Sequence, residues 1–358
     1  MDFEGGKIKV FLGPQGHGGP DDLEQVIVDF INGAEESLDV AVQELENPAI
    51  ATALEAASRR QKTSRPDRRI SVRIVVESDY LRESKPVVPA GQPNEHDPEF
   101  EQNREIMTRL LRSASHYKMD FNASTFHQKF IVRDFNKPKE AVLTGSTNFT
   151  PTGTGSNLNS VVCFHSPEII DAYRREWNQI NAGLFGRRSP VGHKAKEVTI
   201  GNTKVFPLFA PDHNPELVIV NAILKAQTSI DIAMFTFSGS STIDDALLAA
   251  LDRGVTVKGV LDRSQSAHDY SPHPALIAKG ALLRRHHVST LPGFTKPGKL
   301  HHKSMVVDDK VLITGSFNYT GKANRFNDEN VFFIHNSDVA AHFKAEITRI
   351  FDDLAVDF

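Results

Sequence analysis

The chain has 358 residues and a formal net charge of −4, with the 39% hydrophobic and 24% charged residues usual in globular proteins. The mild net charge excludes the strongly basic balance that by itself favours nucleic acid as a partner, although a local basic cleft stays compatible with it. The single cysteine, Cys163, excludes an intramolecular disulfide. Because we find neither a signal peptide nor a run of 18 apolar residues, we expect a cytoplasmic protein without a transmembrane segment.

Two similar series of helices and strands follow each other along the chain. The first series, in chain order, is a helix over 23–33, a strand over 35–43, a helix over 48–60, strands over 70–77, 126–133, 140–146 and 161–165, and a helix over 167–180. The second is a helix over 216–225, a strand over 226–235, a helix over 242–253, strands over 255–262, 300–307, 310–316 and 331–335, and a helix over 337–354. Two longer segments, 83–102 and 264–299, interrupt the series.

Short apolar strands that alternate with amphipathic helices predict an α/β fold built from layers. The repeat divides the chain into an N-terminal half, 1–182, a linker, 183–205, and a C-terminal half, 206–358. Two similar halves usually pack about a pseudo-twofold axis, as the subunits of a homodimer do, and this packing can bring equivalent loops to one seam. Since both halves are fused in one chain, we expect a monomer.

Each half carries a histidine and a lysine two positions apart on a predicted strand: His127 with Lys129, and His301 with Lys303. Residues two apart on a strand share a face, so each pair projects to one side. The lysine supplies a positive charge and up to three hydrogen-bond donors, and the imidazole supplies a nucleophile or a proton. The pattern therefore indicates a phosphate site.

An aspartate and a Gly-Ser-x-Asn turn follow each pair. Asp134 lies seven positions after His127, and this odd separation turns it to the opposite strand face, as it does Asp308 relative to His301. We expect both aspartates to hold a strand end or turn through local hydrogen bonds; direct contact with substrate is the alternative. The serine and asparagine side chains of the turns can donate hydrogen bonds to phosphate oxygens: Ser146, Asn148, Ser316 and Asn318.

The doubled pattern resembles the HKD motif of the phospholipase D superfamily, in which H-x-K-x4-D precedes a Gly-Ser turn with an asparagine. The resemblance extends over nearly the whole chain, because the flanking strands repeat with the motif. It implies a phospholipase D-like fold. The second copy is most similar to the small bacterial endonucleases of the superfamily, which carry one copy and dimerise; this chain would be a fused and diverged version of such a dimer.

The resemblance also implies a two-step displacement in which one imidazole attacks phosphorus and forms a phosphohistidine, while the other protonates the leaving oxygen and then activates water. Lys129, Lys303, Asn148 and Asn318 would offset the charge of the transition state. No cluster of carboxylate, His or Cys residues has the spacing of metal ligands, so we expect neither a metal nor another cofactor.

In the family, a downstream carboxylate often orients the catalytic histidine. The second copy has Glu329, 28 residues after His301, whereas the matching position of the first copy is Asn159. We therefore expect Glu329 to pair with His301 and favour its imidazolium form, which would make His301 the proton donor and His127 the nucleophile. The assignment reverses if Glu329 mainly stabilises the phosphohistidine.

The superfamily includes nucleases, phospholipases and phosphatidyltransferases, so the resemblance leaves the substrate open. We favour a nuclease that hydrolyses DNA or RNA, with a phospholipase D or phosphatidyltransferase acting on phospholipids as the alternative. A catalytically inactive phosphate-binding module is the least favoured hypothesis, because both His/Lys pairs are intact. The nuclease hypothesis predicts a basic seam with stacking aromatic residues, for which the candidates are Arg104, Arg109, Arg112, Lys118, Arg284, Arg285, Lys296, Lys299, Phe149, Phe294, Phe317 and Tyr319.

Overall fold

A computed structural model describes residues 1–78, 98–114, 116–188 and 194–358; residues 83–97 of the interrupting segment 83–102 lie outside this range. The strands are β1 Asp2–Phe3, β2 Ile8–Gly13, β3 Ser37–Val42, β4 Ser71–Glu77, β5 His116–Asp120, β6 Lys129–Arg133, β7 Ala141–Gly145, β8 Asn159–Phe164, β9 Val198–Ile200, β10 Thr203–Ala210, β11 Ser229–Met234, β12 Thr256–Leu261, β13 Leu282–His286, β14 Lys303–Val307, β15 Val311–Gly315, β16 Glu329–His335 and β17 Ala355–Asp357. The α-helices are α1 Leu23–Asn32, α2 Pro48–Arg59, α3 Pro98–Ser113, α4 Pro151–Gly155, α5 Pro167–Asn181, α6 Pro215–Lys225, α7 Ile243–Asp252, α8 His273–Ala278, α9 Gly321–Arg325 and α10 Ser337–Asp353.

Each half contributes one mixed sheet. Among the described residues, seven strands of the first sheet, β2-β8-β7-β6-β3-β4-β5, have counterparts in the same order in the second, β10-β16-β15-β14-β11-β12-β13. The first runs β1-β2-β8-β7-β6-β3-β4-β5, and the second runs β17-β13-β12-β11-β14-β15-β16-β10-β9. In each sheet a helix links two parallel strands: α2 between β3 and β4, and α7 between β11 and β12. The predicted α/β fold with two similar halves is therefore confirmed.

The sequence did not predict the equivalent strands β2 and β10, nor the equivalent strands β5 and β13. The segment 264–299, which was expected to interrupt the series, contains α8 and β13. β10 starts inside the predicted linker 183–205, as does β9, so the second sheet takes in part of the segment assigned to the linker. Pro207 lies within β10, opposite Phe332 of β16. Because a proline cannot donate to the strand ladder, its presence makes such a segment resemble a loop.

A continuous hydrophobic core joins the two halves. Phe164 of β8 meets Phe332 of β16 edge-on with ring centroids 5.3 Å apart, and Tyr173 of α5 meets Phe209 of β10 at 5.1 Å. All four side chains are buried in one cluster that contains residues of both sheets. Edge-to-face packing of buried aromatic rings is favourable beyond their area alone, so this core fixes how the halves face each other.

The two motif aspartates anchor the strands at the centre of each sheet. Asp134 accepts hydrogen bonds from the backbone N–H groups of Glu35, Glu36 and Ser37, at 2.7–3.1 Å. Asp308 accepts them from residues 227–229, at 2.7–3.1 Å, just before β11. The expectation of local hydrogen bonds was wrong: the partners lie 79–99 positions away, because β6 and β14 pair with β3 and β11.

Within the described residues, no helix has both the length and the apolar character needed to cross a membrane.

We expect Asp308→Asn to lower the free energy of unfolding at neutral pH by about 1–3 kcal/mol, since charged acceptors form the stronger hydrogen bonds. Burial acts to raise the pKa of Asp308, but the backbone N–H groups of residues 227–229 outweigh it and hold the pKa below its usual value. A lowered pKa adds stability above the unfolded value and loses it as pH falls through the folded value. The difference between wild type and variant should therefore shrink below about pH 4 in urea unfolding curves.

Asp309→Asn is the matched control. Asp309 also has a positive φ, 56° against 52° for Asp308, but its carboxylate makes a surface ion pair with Lys344. Exposed ion pairs contribute about 0–1 kcal/mol. Equal destabilisation by both substitutions would contradict an anchoring role for Asp308.

Candidate active site

The two catalytic histidines predicted from the sequence lie at the seam between the halves. His127 and His301 precede the regular ladders of β6 and β14, which begin only at Lys129 and Lys303. Their backbones pair with the opposite half instead: the N–H of His127 donates to the Asp328 carbonyl, and that of His301 donates to the Leu158 carbonyl, both at 2.9 Å. These bridges bring one His/Lys pair from each half to a single centre.

The partner of each histidine comes from the other half of the chain. Nδ1 of His127 lies 2.5 Å from Oε2 of Glu329, and Nδ1 of His301 lies 3.0 Å from Oδ1 of Asn159. The expectation that Glu329 orients His301 and Asn159 orients His127 was therefore wrong. Its physical cause is the crossed backbone pairing, which places the first residues of β16 and β8 beside the opposite histidine.

The contacts fix the tautomer of both rings. Nδ1 of His301 also lies 3.1 Å from the carbonyl oxygen of Ser146, which can only accept a hydrogen bond, so Nδ1 carries a proton. Nδ1 of His127 faces a carboxylate and donates to it in the same way. Both neutral imidazoles therefore leave the lone pair of Nε2 available, which is the atom that a nucleophile or a general base uses.

The motif serines hold the orienting residues. The Ser316 hydroxyl donates to Oε2 of Glu329 at 2.7 Å, and the Ser146 hydroxyl donates to Oδ1 of Asn159 at 2.8 Å. Both hydroxyl protons are thus committed, although the sequence had suggested that these groups donate to phosphate. A side chain with its own fixed partner holds its neighbour in one geometry, which is how a preorganised site is built.

The two lysines are buried beside the histidines. Nζ of Lys129 donates to Oε1 of Gln43 at 2.9 Å and to the His127 carbonyl at 2.8 Å. Nζ of Lys303 donates to the His301 carbonyl at 2.7 Å. Burial lowers the pKa of Lys129 to about 8, while Glu329 and Glu44 act in the opposite direction. Burial, followed by the charge of Lys129, lowers the pKa of Lys303 as well, so the lysines of the two halves act on each other.

The histidines differ in their electrostatic surroundings. Burial lowers the pKa of His127 to about 4, but the Glu329 carboxylate opposes this shift. Burial, then Lys303 and Lys129, lowers the pKa of His301 well below its usual value, and its orienting partner Asn159 is neutral. An anion bound between the lysines would favour the protonated form of both rings.

Two carboxylates that the sequence analysis did not identify bind the residues that directly precede the histidines in the chain. Oε2 of Glu77 accepts the N–H of Phe126 at 2.7 Å, and Oδ2 of Asp262 accepts the N–H of Leu300 at 3.0 Å. Glu77 is the last residue of β4 and Asp262 directly follows β12, so both lie at the carboxyl ends of parallel strands, where such sheets place functional groups. Their equivalent positions at the ends of the predicted strands 70–77 and 255–262 were the signal that could have found them.

The walls of the site are not symmetric. At the position equivalent to Gln43, the second half has Phe235, whose ring centroid lies 4.8 Å from that of His301 and 4.7 Å from Nζ of Lys303. Nδ2 of Asn148 donates to Oε2 of Glu44 at 2.8 Å. Nδ2 of Asn318 has no partner among the described residues, so it is available to a ligand. One wall is polar and acidic, and the other is aromatic.

The predicted basic and aromatic seam does not form as a set. Phe149, Phe317 and Tyr319 are buried in the cores of their own halves, because the residues around the Gly-Ser-x-Asn turns pack inward. Three of the basic residues are engaged elsewhere: Arg109 with Glu55, Arg284 with Asp357, and Lys118 with the Asn181 carbonyl. The side chains of Arg104, Arg112, Arg285, Lys296 and Lys299 are exposed, and Phe294 is half-buried.

We expect Glu329→Gln to lower the pKa of His127 further, because the substitution removes the negative charge that opposes the effect of burial. Asn159→Asp should raise the pKa of His301 for the opposite reason. NMR titration of protein labelled at histidine, with each ring assigned by substitution, measures both. A shift at His301 instead of His127 in Glu329→Gln would contradict the crossed pairing.

The chain matches the family described as "Cardiolipin synthase, PLD-like domain" over residues 27–181 and 219–351. The mitochondrial cardiolipin hydrolase of Homo sapiens is 34% identical over 134 residues, which are 37% of this chain and 50% of that protein. The chain therefore spans half the length of that relative. The phospholipase D of Rickettsia felis is 34% identical over 170 residues, which are 46% of this chain and 78% of that protein.

Among solved structures, the phosphatidylserine synthase of Haemophilus influenzae aligns with 98% of this chain and 87% of its own, with a TM-score of 0.67 and 13% identity. At this identity the likeness shows the fold alone. The family match covers most of the sequence and both halves. The chain therefore belongs to the phospholipase D superfamily.

Proposed function

We propose that the protein cleaves a phosphodiester without a metal ion, by forming a covalent phosphohistidine on His127 with His301 as general acid and base. The observation that carries the proposal is the pair of buried imidazoles, each held at Nδ1 by the opposite half, beside the two buried lysines. Such a centre provides a nucleophile, a proton donor and two cations.

The nucleophile assignment depends on Glu329. Attack through Nε2 leaves a positively charged, phosphorylated imidazole with its proton on Nδ1, close to two lysines. Glu329 accepts from Nδ1 of His127 and offsets that charge, whereas Asn159 beside His301 supplies no charge. His127 is therefore the nucleophile for a different reason than the sequence suggested: Glu329 faces His127, and a carboxylate stabilises the phosphohistidine better than a neutral amide does.

The first step forms a bond between Nε2 of His127 and phosphorus and breaks the bond between phosphorus and the leaving oxygen, which takes a proton from Nε2 of His301. The low pKa of His301 makes its protonated form a strong acid, and the bound phosphodiester anion favours that form. In the second step Nε2 of His301 accepts a proton from water, whose oxygen bonds to phosphorus as the bond to His127 breaks. Lys129, Lys303 and the Asn318 amide stabilise the pentacovalent states.

As substrate we propose a phospholipid, although the sequence had favoured nucleic acid. Five residues of the expected nucleic-acid seam are unavailable, because they are buried or paired with carboxylates. The Glu44 carboxylate acts electrostatically on Lys129, and such a charge repels a chain of phosphates more than a single diester. The similarity to proteins named phospholipase D and cardiolipin hydrolase supports the same choice.

A nuclease is the second candidate. Lys296 and Lys299, which precede His301 in the chain, are exposed, and Nζ of Lys299 lies 5.8 Å from the centroid of the Phe235 ring. Cations beside an aromatic ring are typical of sites for single-stranded nucleic acid.

We expect the wild type to release headgroups from phospholipid vesicles in the presence of EDTA, and His127→Ala and His301→Ala to lose about a thousandfold of that activity. His335→Ala, which changes an exposed histidine at the end of β16 opposite to Glu329, is the matched control. The same assay on single-stranded DNA, duplex DNA and RNA distinguishes the candidates. Cleavage of nucleic acid alone would overturn the lipid substrate, activity lost in EDTA would overturn the metal-free mechanism, and no turnover at all would support a binding module.

We expect a rapid acid-free quench of His301→Asn with a labelled 4-nitrophenyl phosphodiester to show phosphate on His127. Nitrophenolate leaves without the proton that His301 would supply, and the variant retains the nucleophile but lacks the base that activates water. Peptide mapping of the labelled protein identifies the modified residue, with His127→Asn as the control that takes no label. Label on His301 in the wild type would exchange the two roles.

A further inference from the structure

We propose that the loops that lead into His127 and His301 form a membrane-contact surface, with Phe121 inserting among lipids and Lys296 and Lys299 facing anionic headgroups. This inference deepens the proposed lipid substrate and names how the enzyme reaches it. The partner is a lipid surface that carries net negative charge.

Both loops lie at the edge of the sheets that holds the site. In each sheet three strands run parallel, β3-β4-β5 and β11-β12-β13. Their carboxyl ends therefore lie at one edge of the sheet, the edge that holds the site. Phe121 is the residue after β5, and the loop 287–299 follows β13, so both loops leave from equivalent strands at the edge of the catalytic centre.

Hydrogen bonds to the opposite half hold both loops in place. Backbone bonds tie residue 125 to Asp328, next to Glu329, and tie Lys299 to Leu158, next to Asn159. The backbone N–H of Lys299 also donates to the Asn157 side chain at 2.9 Å. Both loops are thus fixed at the seam, one on each side of the histidines that they precede.

The loops expose aromatic and positively charged side chains. Phe121 is 74% exposed, more than any other large hydrophobic side chain of the described residues. Tyr270, which is 42% exposed, lies in the loop after β12 at the same edge. Lys296 and Lys299 are exposed, and Pro292 beside them is also exposed. A single exposed phenylalanine is not unusual, but one in a loop that leads into His127, with exposed lysines in the equivalent loop of the other half, suits a membrane interface.

Charge complementarity determines the occupant. Lysines near an anionic bilayer each add to its attraction, and an aromatic side chain adds apolar burial. A neutral membrane would interact with Phe121 but not with the lysine charges, so the protein should bind it more weakly than an anionic membrane.

The test measures partition onto sedimented vesicles, of phosphatidylglycerol with phosphatidylcholine and of phosphatidylcholine alone, and hydrolysis of the soluble diester bis(4-nitrophenyl) phosphate. We expect Phe121→Ser to weaken partition about tenfold, as the loss of a buried phenylalanine implies. Lys296→Ala should weaken it about fivefold on the anionic vesicles only. Neither variant should change hydrolysis of the soluble diester.

Leu217→Ser is the matched control, since Leu217 is 55% exposed on α6, away from the loops. Equal partition of Phe121→Ser and Leu217→Ser would overturn the proposed surface, and so would a wild type that binds neither kind of vesicle. A wild type that binds vesicles through Phe121 but releases no headgroup would support the surface and overturn the proposed lipid turnover. The two failures are therefore distinguishable.

Discussion

The contact between Nδ1 of His127 and Oε2 of Glu329, 2.5 Å long, joins the two halves at their chemical centre. It exists because the segment before β6 pairs with the segment before β16, and its counterpart, His301 with Asn159, exists because the segment before β14 pairs with the segment before β8. Neither half holds a complete His-partner pair. The aromatic core between the halves maintains the same arrangement, so the packing of the fold and the orientation of the histidines depend on one interface.

Much of the fold followed from the repeated order of apolar segments, and the structure has the helices and strands of both series close to their predicted bounds. β10 was not predicted because Pro207 interrupts its apolar pattern. β2 was not predicted because no α-helix precedes it, so it did not show as part of the repeated series. Strand alternation predicted that the aspartates point away from the histidines; the structure has them bonded to backbone N–H groups that lie far along the chain. Strand register gives the direction of a side chain and does not give the distant segment that it meets.

The site was predictable as a set of residues and not as a set of pairs. Counting positions after each motif found Glu329 and Asn159, yet it assigned each to the histidine of its own half. Backbone pairing between the halves, which no local pattern in the sequence reports, exchanges the partners. Phe235 was missed for a related reason: it belongs to the end of a core strand, and only the fold shows that its ring lies against His301.

Asymmetry is the feature that distinguishes this chain from a pair of identical half-sites. Glu329, the partner of His127, is equivalent in position to Asn159, the partner of His301. Phe235 is equivalent in position to Gln43, which accepts a hydrogen bond from Lys129. A fused chain can vary its halves independently, whereas a dimer of identical subunits cannot. In the proposed mechanism, the carboxylate beside His127 stabilises charge on the phosphohistidine, and His301, beside the aromatic wall, carries out the acid–base chemistry.

The most direct measurement is a crystal structure of the protein with vanadate, an anion that adopts the geometry of the transition state. The composite site requires vanadium bonded to Nε2 of His127, Nε2 of His301 on the opposite side, and Nζ of both Lys129 and Lys303 within hydrogen-bond distance of its oxygens. Vanadate bound by the histidine and lysine of one half alone would contradict the account.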